Sequence, residues 1–395
     1  MKLLIYSLYQ PDFVDGASVS ARALTQRFRD AGIDVSIWTT DIGWRKDQIP
    51  LDPCPHLRVY HACFSHSLEI APKLFWHFCR QLRCYDLVHF RGIFSLGTCL
   101  GAFAARSLGC PYVISPLGNW PPLWKDRATV RRGTAKVLFF RLLCKQALEG
   151  ASRVVCASEA ERDCVQQVLP PARAISIPNG IDIADHASVL SRHDLFHRLG
   201  VPPDTHLFLF LGRLAPEKGL QFLLKAWEKT AMRLPDARLI IAGDASLNGA
   251  FERPLRLAVA KLTRPDTVTL PGAITGALKH SLLRHSCCLL LPSHRESFGN
   301  VVLEALSVGT PVLASVGTPW SSLESTGLGK WLPWDEDLWS DSMLAMAEIP
   351  SAARVQISSR SRQWVAANYS WDATAREYIR TYEEVLRANP VRRCC

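Results

Sequence analysis

The chain has 395 residues, 48% of them hydrophobic and 21% charged, with a formal net charge of +10. That length exceeds one ordinary core and suits two α/β domains of similar size, while the composition excludes a disordered chain. The basic excess is spread over both halves, so it favours anionic partners (phosphates, nucleic acid or a membrane surface) without choosing among them.

The 13 cysteines are irregularly placed and form no C-x-x-C pair. Zinc-ribbon and thioredoxin readings therefore lack their ligand spacing, and buried free thiols in a reducing, cytoplasmic compartment are expected. Cys394 and Cys395 lack a four-residue prenylation box and read as an ordinary tail. Met1 to Asp12 has a short apolar run and no small-residue cleavage site, so it reads as a buried strand rather than a signal peptide. No stretch approaches the ~18 apolar residues of a membrane span. Any membrane contact is expected to be peripheral.

In chain order, short apolar strands alternate with longer amphipathic segments, the mark of a parallel α/β sheet. Strands are expected at 3–8, 35–39, 57–60, 86–90, 112–115, 153–156 and 174–177. A helix is expected over 17–31, with Gly32 as its stop. Ser158 and Glu161 form an S-x-x-E capping box that opens another helix. Pro178-Asn179-Gly180-Ile181-Asp182 is a turn cluster. Beyond it the periodicity weakens, which places the interdomain linker at 183–200. The pattern restarts with strands expected at 206–211, 238–242, 267–270, 287–291 and 311–314. A helix follows Gly219, and late helices are expected over 335–348, 351–368 and 371–388. Two such sheets in series imply a cleft that takes a small molecule.

Three segments carry chemistry. Glu296-Ser297-Phe298-Gly299-Asn300-Val301-Val302-Leu303-Glu304 follows a buried strand and opens a helix near Gly299. A loop carboxylate beside free helix amides suits a diphosphate-linked sugar, and Glu304 lies one turn beyond Asn300 on the same face. Two isolated glutamates would by themselves read as ordinary surface acids. Gly212-Arg213-Leu214-Ala215-Pro216-Glu217-Lys218-Gly219 joins a strand to a helix, with a planar guanidinium and a mobile ammonium as candidate diphosphate ligands. It is neither a Walker loop nor a dinucleotide fingerprint. Asp15-Gly16 lies in the first loop, where a glycine lets backbone approach a ligand.

Together these segments resemble the retaining glycosyltransferases of family 4, with the α/β GT-B fold of two Rossmann-like domains facing each other across a cleft. The E-x7-E pattern falls at Glu296 and Glu304. Gly212-Arg213 with Lys218-Gly219 is similar to the family's diphosphate clamp, residues 178–182 to its P-N-G-[IV]-D signature, and Gly309-Thr310-Pro311-Val312 to its G-x-P-V strand entry. The resemblance implies an acceptor-binding domain over 1–190 and a nucleotide-sugar-binding domain over 191–370. It also implies a helix and tail over 371–395 that cross back to the first domain. It implies that Arg213 and Lys218 neutralise the leaving diphosphate, that Glu304 holds the ribose and that Glu296 contacts the donor hexose. The amides of Phe298, Gly299, Asn300 and Val301 would meet sugar hydroxyls or phosphate, and Gly16 would approach the phosphates. No cofactor and no metal is implied, and leaving-group stabilisation would be the main catalytic term.

One position departs from the family. Where many members carry a histidine, Ser115-Pro116-Leu117-Gly118 presents Leu117, which can neither take a proton nor donate a hydrogen bond. His89, at a strand end, reads more readily as a packed structural histidine than as its replacement. Trp120 to Lys145 collects Lys125, Arg127, Arg131, Arg132, Lys136, Arg141 and Lys145 with Trp120, Trp124, Phe139 and Phe140. It reads equally as an anionic-lipid or lipid-diphosphate surface and as a solvated basic face. Nucleic acid is not an expected partner, because no recognised module accompanies the charge. The expected partners are a nucleotide-sugar donor, a glycan or lipid-linked acceptor and an anionic membrane surface. The rival readings are a non-catalytic member of the fold and a nucleotide-sugar epimerase.

Overall fold

The computed structural model describes residues 1–7, 16–42, 56–63, 70–118, 137–182, 189–202, 204–244 and 249–389. The chain divides into two compact units, Met1–Gly180 with Trp371–Cys395, and Ile181–Ser370.

The first unit holds a seven-stranded parallel sheet. Its strands are β1 (Lys2–Ser7), β2 (Asp34–Thr40), β3 (Leu57–Tyr60), β4 (Leu87–Arg91), β5 (Tyr112–Ser115), β6 (Arg153–Cys156) and β7 (Ala174–Ser176). The spatial order is β3-β2-β1-β4-β5-β6-β7. Both faces are covered, as a parallel sheet requires. Leu4, Tyr6, Val88 and Phe90 point into one core with Phe78 and Ala102. The alternate residues Leu3, Ile5 and Leu87 point into the other, with Leu24 and Phe28 and with Trp371, Tyr378 and Tyr382 of the Trp371–Ala388 helix.

The second unit holds a six-stranded parallel sheet. It comprises β8 (His206–Leu211), β9 (Ala237–Ala242), β10 (Val268–Gly272), β11 (Cys288–Leu291), β12 (Val312–Ser315) and β13 (Gly329–Leu332). The order is β10-β9-β8-β11-β12-β13. The chain runs outward from β8 to β10 and then returns to β11 on the other side of β8. The loops after β8 and β11 therefore lie side by side at the switch point, where ligands of open α/β sheets sit.

Several expectations need correction. Residues 192–199, assigned to a linker, form the Arg192–Leu199 helix. Ser191 caps it, accepting from the Asp194 amide, and Gly200 at φ 65° ends it. Eight residues are too few for a 3.6 period to show, so the caps define this helix. The division between units falls between Gly180 and Ile181, inside the turn cluster. The strand β13 and the Pro72–Gln81 and Leu96–Ser107 helices went unread. Cys99, Cys110, Cys144, Cys156, Cys287 and Cys288 are buried free thiols, but Cys63, Cys79 and Cys84 are exposed. Among the described residues no helix is long and apolar enough to cross a membrane.

Candidate functional site

The loops after β8 and β11 meet. Gly219 sits at φ 69°, and a Cβ there would lie 2.0 Å from the Pro292 carbonyl oxygen. The His294 amide donates to the Glu217 carbonyl at 2.8 Å. Glycine is needed at 219 both for the left-handed backbone and for this approach. With the loops in register, Lys218 reaches Glu296: its ammonium pairs with Oε1, and both side chains are largely buried, at 14% and 12% exposure. Ser293 donates its hydroxyl to the same oxygen at 3.2 Å. These contacts occupy Oε1 and leave Oε2 to other partners.

Arg213 takes a different place. Its guanidinium pairs with Glu217 at 3.1 Å, and the two side chains are 49% and 39% exposed. So open a pair contributes little to stability and exchanges easily for another anion. Each cation of the expected clamp thus already holds a carboxylate of its own unit.

The Asn300–Val308 helix starts at Gly299, which has φ 85°. A Cβ at 299 would come within 3.3 Å of Leu291 and of the Trp320 ring nitrogen. The Phe298 side chain is core, packed on Trp320 with centroids 5.1 Å apart, and its carbonyl accepts from the Trp320 indole. Only its backbone is left for the ligand role expected of it. Val301 is half-buried within the first turn of the helix. Glu304 projects from the next turn, and its Oε2 pairs with Lys279 of the Gly276–His285 helix at 2.8 Å. Lys279 and Ser293 were missed in the sequence. The Lys279 pairing joins two helices and leaves no spacing signal, whereas Ser293, three residues before Glu296, lay within reach of a local reading.

In the first unit, Gly16 opens the Gly16–Asp30 helix and is exposed. Leu117 has φ 56° and is the one described non-glycine residue with positive φ. Glu161 holds this turn from behind, its two carboxylate oxygens accepting from the Gly118 amide at 2.6 Å and the Ala157 amide at 2.8 Å. Burial pushes its carboxyl pKa up, and the two amides partly oppose that. The capping box is therefore half made. Ser158 accepts from the Glu161 amide, but the glutamate side chain serves the Leu117–Gly118 turn as well as the amide before the cap. His89 is fully buried. Its Nε2 lies 2.9 Å from the Ser115 hydroxyl and its Nδ1 2.7 Å from the Tyr382 hydroxyl. It is a packed structural histidine. The basic stretch from Trp120 lies outside the described residues up to position 136. Among the described residues no group of three or more His, Cys, Asp or Glu side chains is placed to hold a metal ion.

Two parallel Rossmann-like sheets in series, with a basic loop and a glutamate loop at the switch point of the second, define the GT-B class. Glycosyltransferase Family 4 matches residues 14–185 and Glycosyl transferases group 1 matches residues 191–323. Over those residues the chain is similar to these two glycosyltransferase families. It is similar to the D-inositol 3-phosphate glycosyltransferase of Segniliparus rotundus, at 27% identity over 61% of this chain and 54% of that one. It spans 54–59% of the length of the first such relatives. It is also similar to the GDP-mannose:cellobiosyl-diphosphopolyprenol alpha-mannosyltransferase of Xanthomonas campestris, at 27% identity over 82% of this chain and 79% of that one. Anabaena HepE, solved with UDP and glucose, shares the fold at 19% identity and a TM-score of 0.73, covering 97% of this chain and 100% of that one.

Proposed function

We propose that the chain is a retaining, metal-independent glycosyltransferase. It moves a hexose or related sugar from a nucleotide-sugar donor to a glycan or lipid-linked acceptor in cell-surface polysaccharide synthesis. The observation that carries this reading is the buried Lys218–Glu296 pair, which joins the two loops of the switch point. It sets a cation for the leaving diphosphate beside a carboxylate that accepts from sugar hydroxyls. Arg213 leaves the exposed Glu217 for a phosphate oxygen, and the amides that open the Asn300–Val308 helix face the same diphosphate. Glu304 takes the ribose. Gly16, of the first unit, is assigned the backbone approach to the donor phosphates. The second unit binds the nucleotide sugar and the first the acceptor. The one relative named for both GDP-mannose and a diphosphopolyprenol acceptor supports a nucleotide-sugar donor and a lipid-linked acceptor.

The test is turnover against a panel of nucleotide sugars, read as release of nucleoside diphosphate. Glu296→Gln and Arg213→Ala are expected to lower turnover by about 10²-fold or more, the scale of removing one group that stabilises developing charge. Circular dichroism should show the fold retained. Unchanged turnover in both variants would remove the site assignment.

Leu117 favours a second reading, a non-catalytic member of the fold, because its side chain offers no polar atom where the family carries histidine. Donor binding without turnover over a broad acceptor set would support it.

A further inference from the structure

Both glutamates of the E-x7-E pattern carry a lysine, and the two lysines come from different elements. Lys218 lies in the loop after β8. Lys279 reaches Glu304 from the neighbouring Gly276–His285 helix, and the two side chains are only 16% and 26% exposed. A largely buried ammonium held on one oxygen restricts a side chain that otherwise turns about three bonds. The other oxygen, Oε1, is left to accept hydroxyl protons in a fixed direction. Pinning of this kind removes an ordering cost that binding would otherwise carry.

We infer that Lys279 is the positioning residue for nucleotide selectivity at Glu304: by holding Oε2 it aims Oε1 at the ribose diol, so that a ribonucleotide is preferred over its 2′-deoxy form. The inference rests on the proposed assignment of the ribose to Glu304. A lysine that only tied two helices together would change stability and not this preference.

The experiment is calorimetric binding of UDP, GDP and ADP and of their 2′-deoxy counterparts to the full chain and to Lys279→Met, Lys279→Arg and Glu304→Gln. For whichever base binds, the wild type is expected to prefer the ribo form by about tenfold, the worth of one hydrogen bond to a charged group. Lys279→Met should reduce that preference to about twofold, with affinity for the deoxy form nearly unchanged. Lys279→Arg should restore it. A wild-type preference retained in Lys279→Met but lost in Glu304→Gln overturns the inference and leaves the ribose assignment standing. A preference retained in Glu304→Gln, or a wild type with no preference, overturns the assignment and the inference together.

Discussion

His89 shows what a single buried side chain does in this fold. Burial first, and then the charge of Arg91, hold its pKa well below 6.5. Arg91 is itself buried, donating to Ser20 at 2.5 Å, with its Nε unpartnered, so protonating His89 would add a second buried positive charge beside it. The sign of the pH dependence follows. In the folded state the ring stays neutral below pH 6.5, while in the unfolded chain it takes a proton at about 6.5. Stability therefore falls as pH drops below that value towards the lowered folded pKa. The wild-type melting temperature is expected to fall between pH 7.5 and 5.5. His89→Gln should cost about 1–3 kcal/mol at pH 7.5, the cost of a broken buried hydrogen bond, but show a shallower fall. Part of the slope will survive, because burial also holds His285 low. Equal slopes in thermal melts of both proteins would count against a neutral His89. At this scale the sequence singles out Glu296, Glu304, Arg213 and Lys218 through motifs, and the structure pairs two of them, Lys218 and Glu296. The sequence could not show that Arg213 would rest on Glu217, since that choice depends on loop geometry.

At the scale of elements, the strands were legible because a doubly covered parallel sheet writes continuous apolar runs such as Leu207 to Leu211. The Arg192–Leu199 helix was not, because its signal lies in Ser191 and Gly200 and not in periodicity. Two of the glycines that end short helices in the second unit permit a comparison. Gly200 and Gly219 have nearly the same φ, 65° and 69°, but a Cβ at 200 meets nothing within 4 Å while one at 219 meets the Pro292 carbonyl oxygen at 2.0 Å. Gly200→Ala should therefore cost about 1 kcal/mol, the left-handed penalty alone. Gly219→Ala should cost clearly more and also impair turnover, because backbone must move and the Lys218–Glu296 pair moves with it. Urea denaturation of the two variants decides the matter. Equal losses would mean that the 219 and 292 loops yield without consequence.

At the scale of the whole molecule, the chain's end belongs to its beginning: the Trp371–Ala388 helix packs on the first sheet, and Tyr382 closes over His89. That helix was readable from its sequence, but its return rested on family resemblance, since no local pattern records which unit a terminal helix joins. The peripheral membrane contact expected from the sequence, there attached to the basic stretch from Trp120, can be tested on the charge and apolar surface of the first unit. Among the described residues of the first unit, the exposed large apolar side chains are Phe75, Trp76, Val137, Leu138 and Leu142. Phe75 and Trp76 share the Pro72–Gln81 helix with Lys73 and Arg80, and the Arg80 guanidinium lies over the Trp76 ring, 4.5 Å from its centre. Between Ala71 and Tyr85 there is no acidic residue. Aromatic and basic side chains exposed together on one helix, without acids, suit an anionic lipid surface. Each basic residue near such a surface is worth about 1 kcal/mol, so the Lys73→Glu/Arg80→Glu pair should weaken sedimentation with phosphatidylglycerol vesicles by at least about tenfold at low salt. Salt near 1 M, where the Debye length shrinks to about 3 Å, should weaken the wild type similarly. Phe75→Ser/Trp76→Ser should lower binding at every salt concentration, because insertion of rings is not screened. Vesicle binding indifferent to anionic lipid, to salt and to all four substitutions would remove this helix from the membrane and leave its rings for another partner.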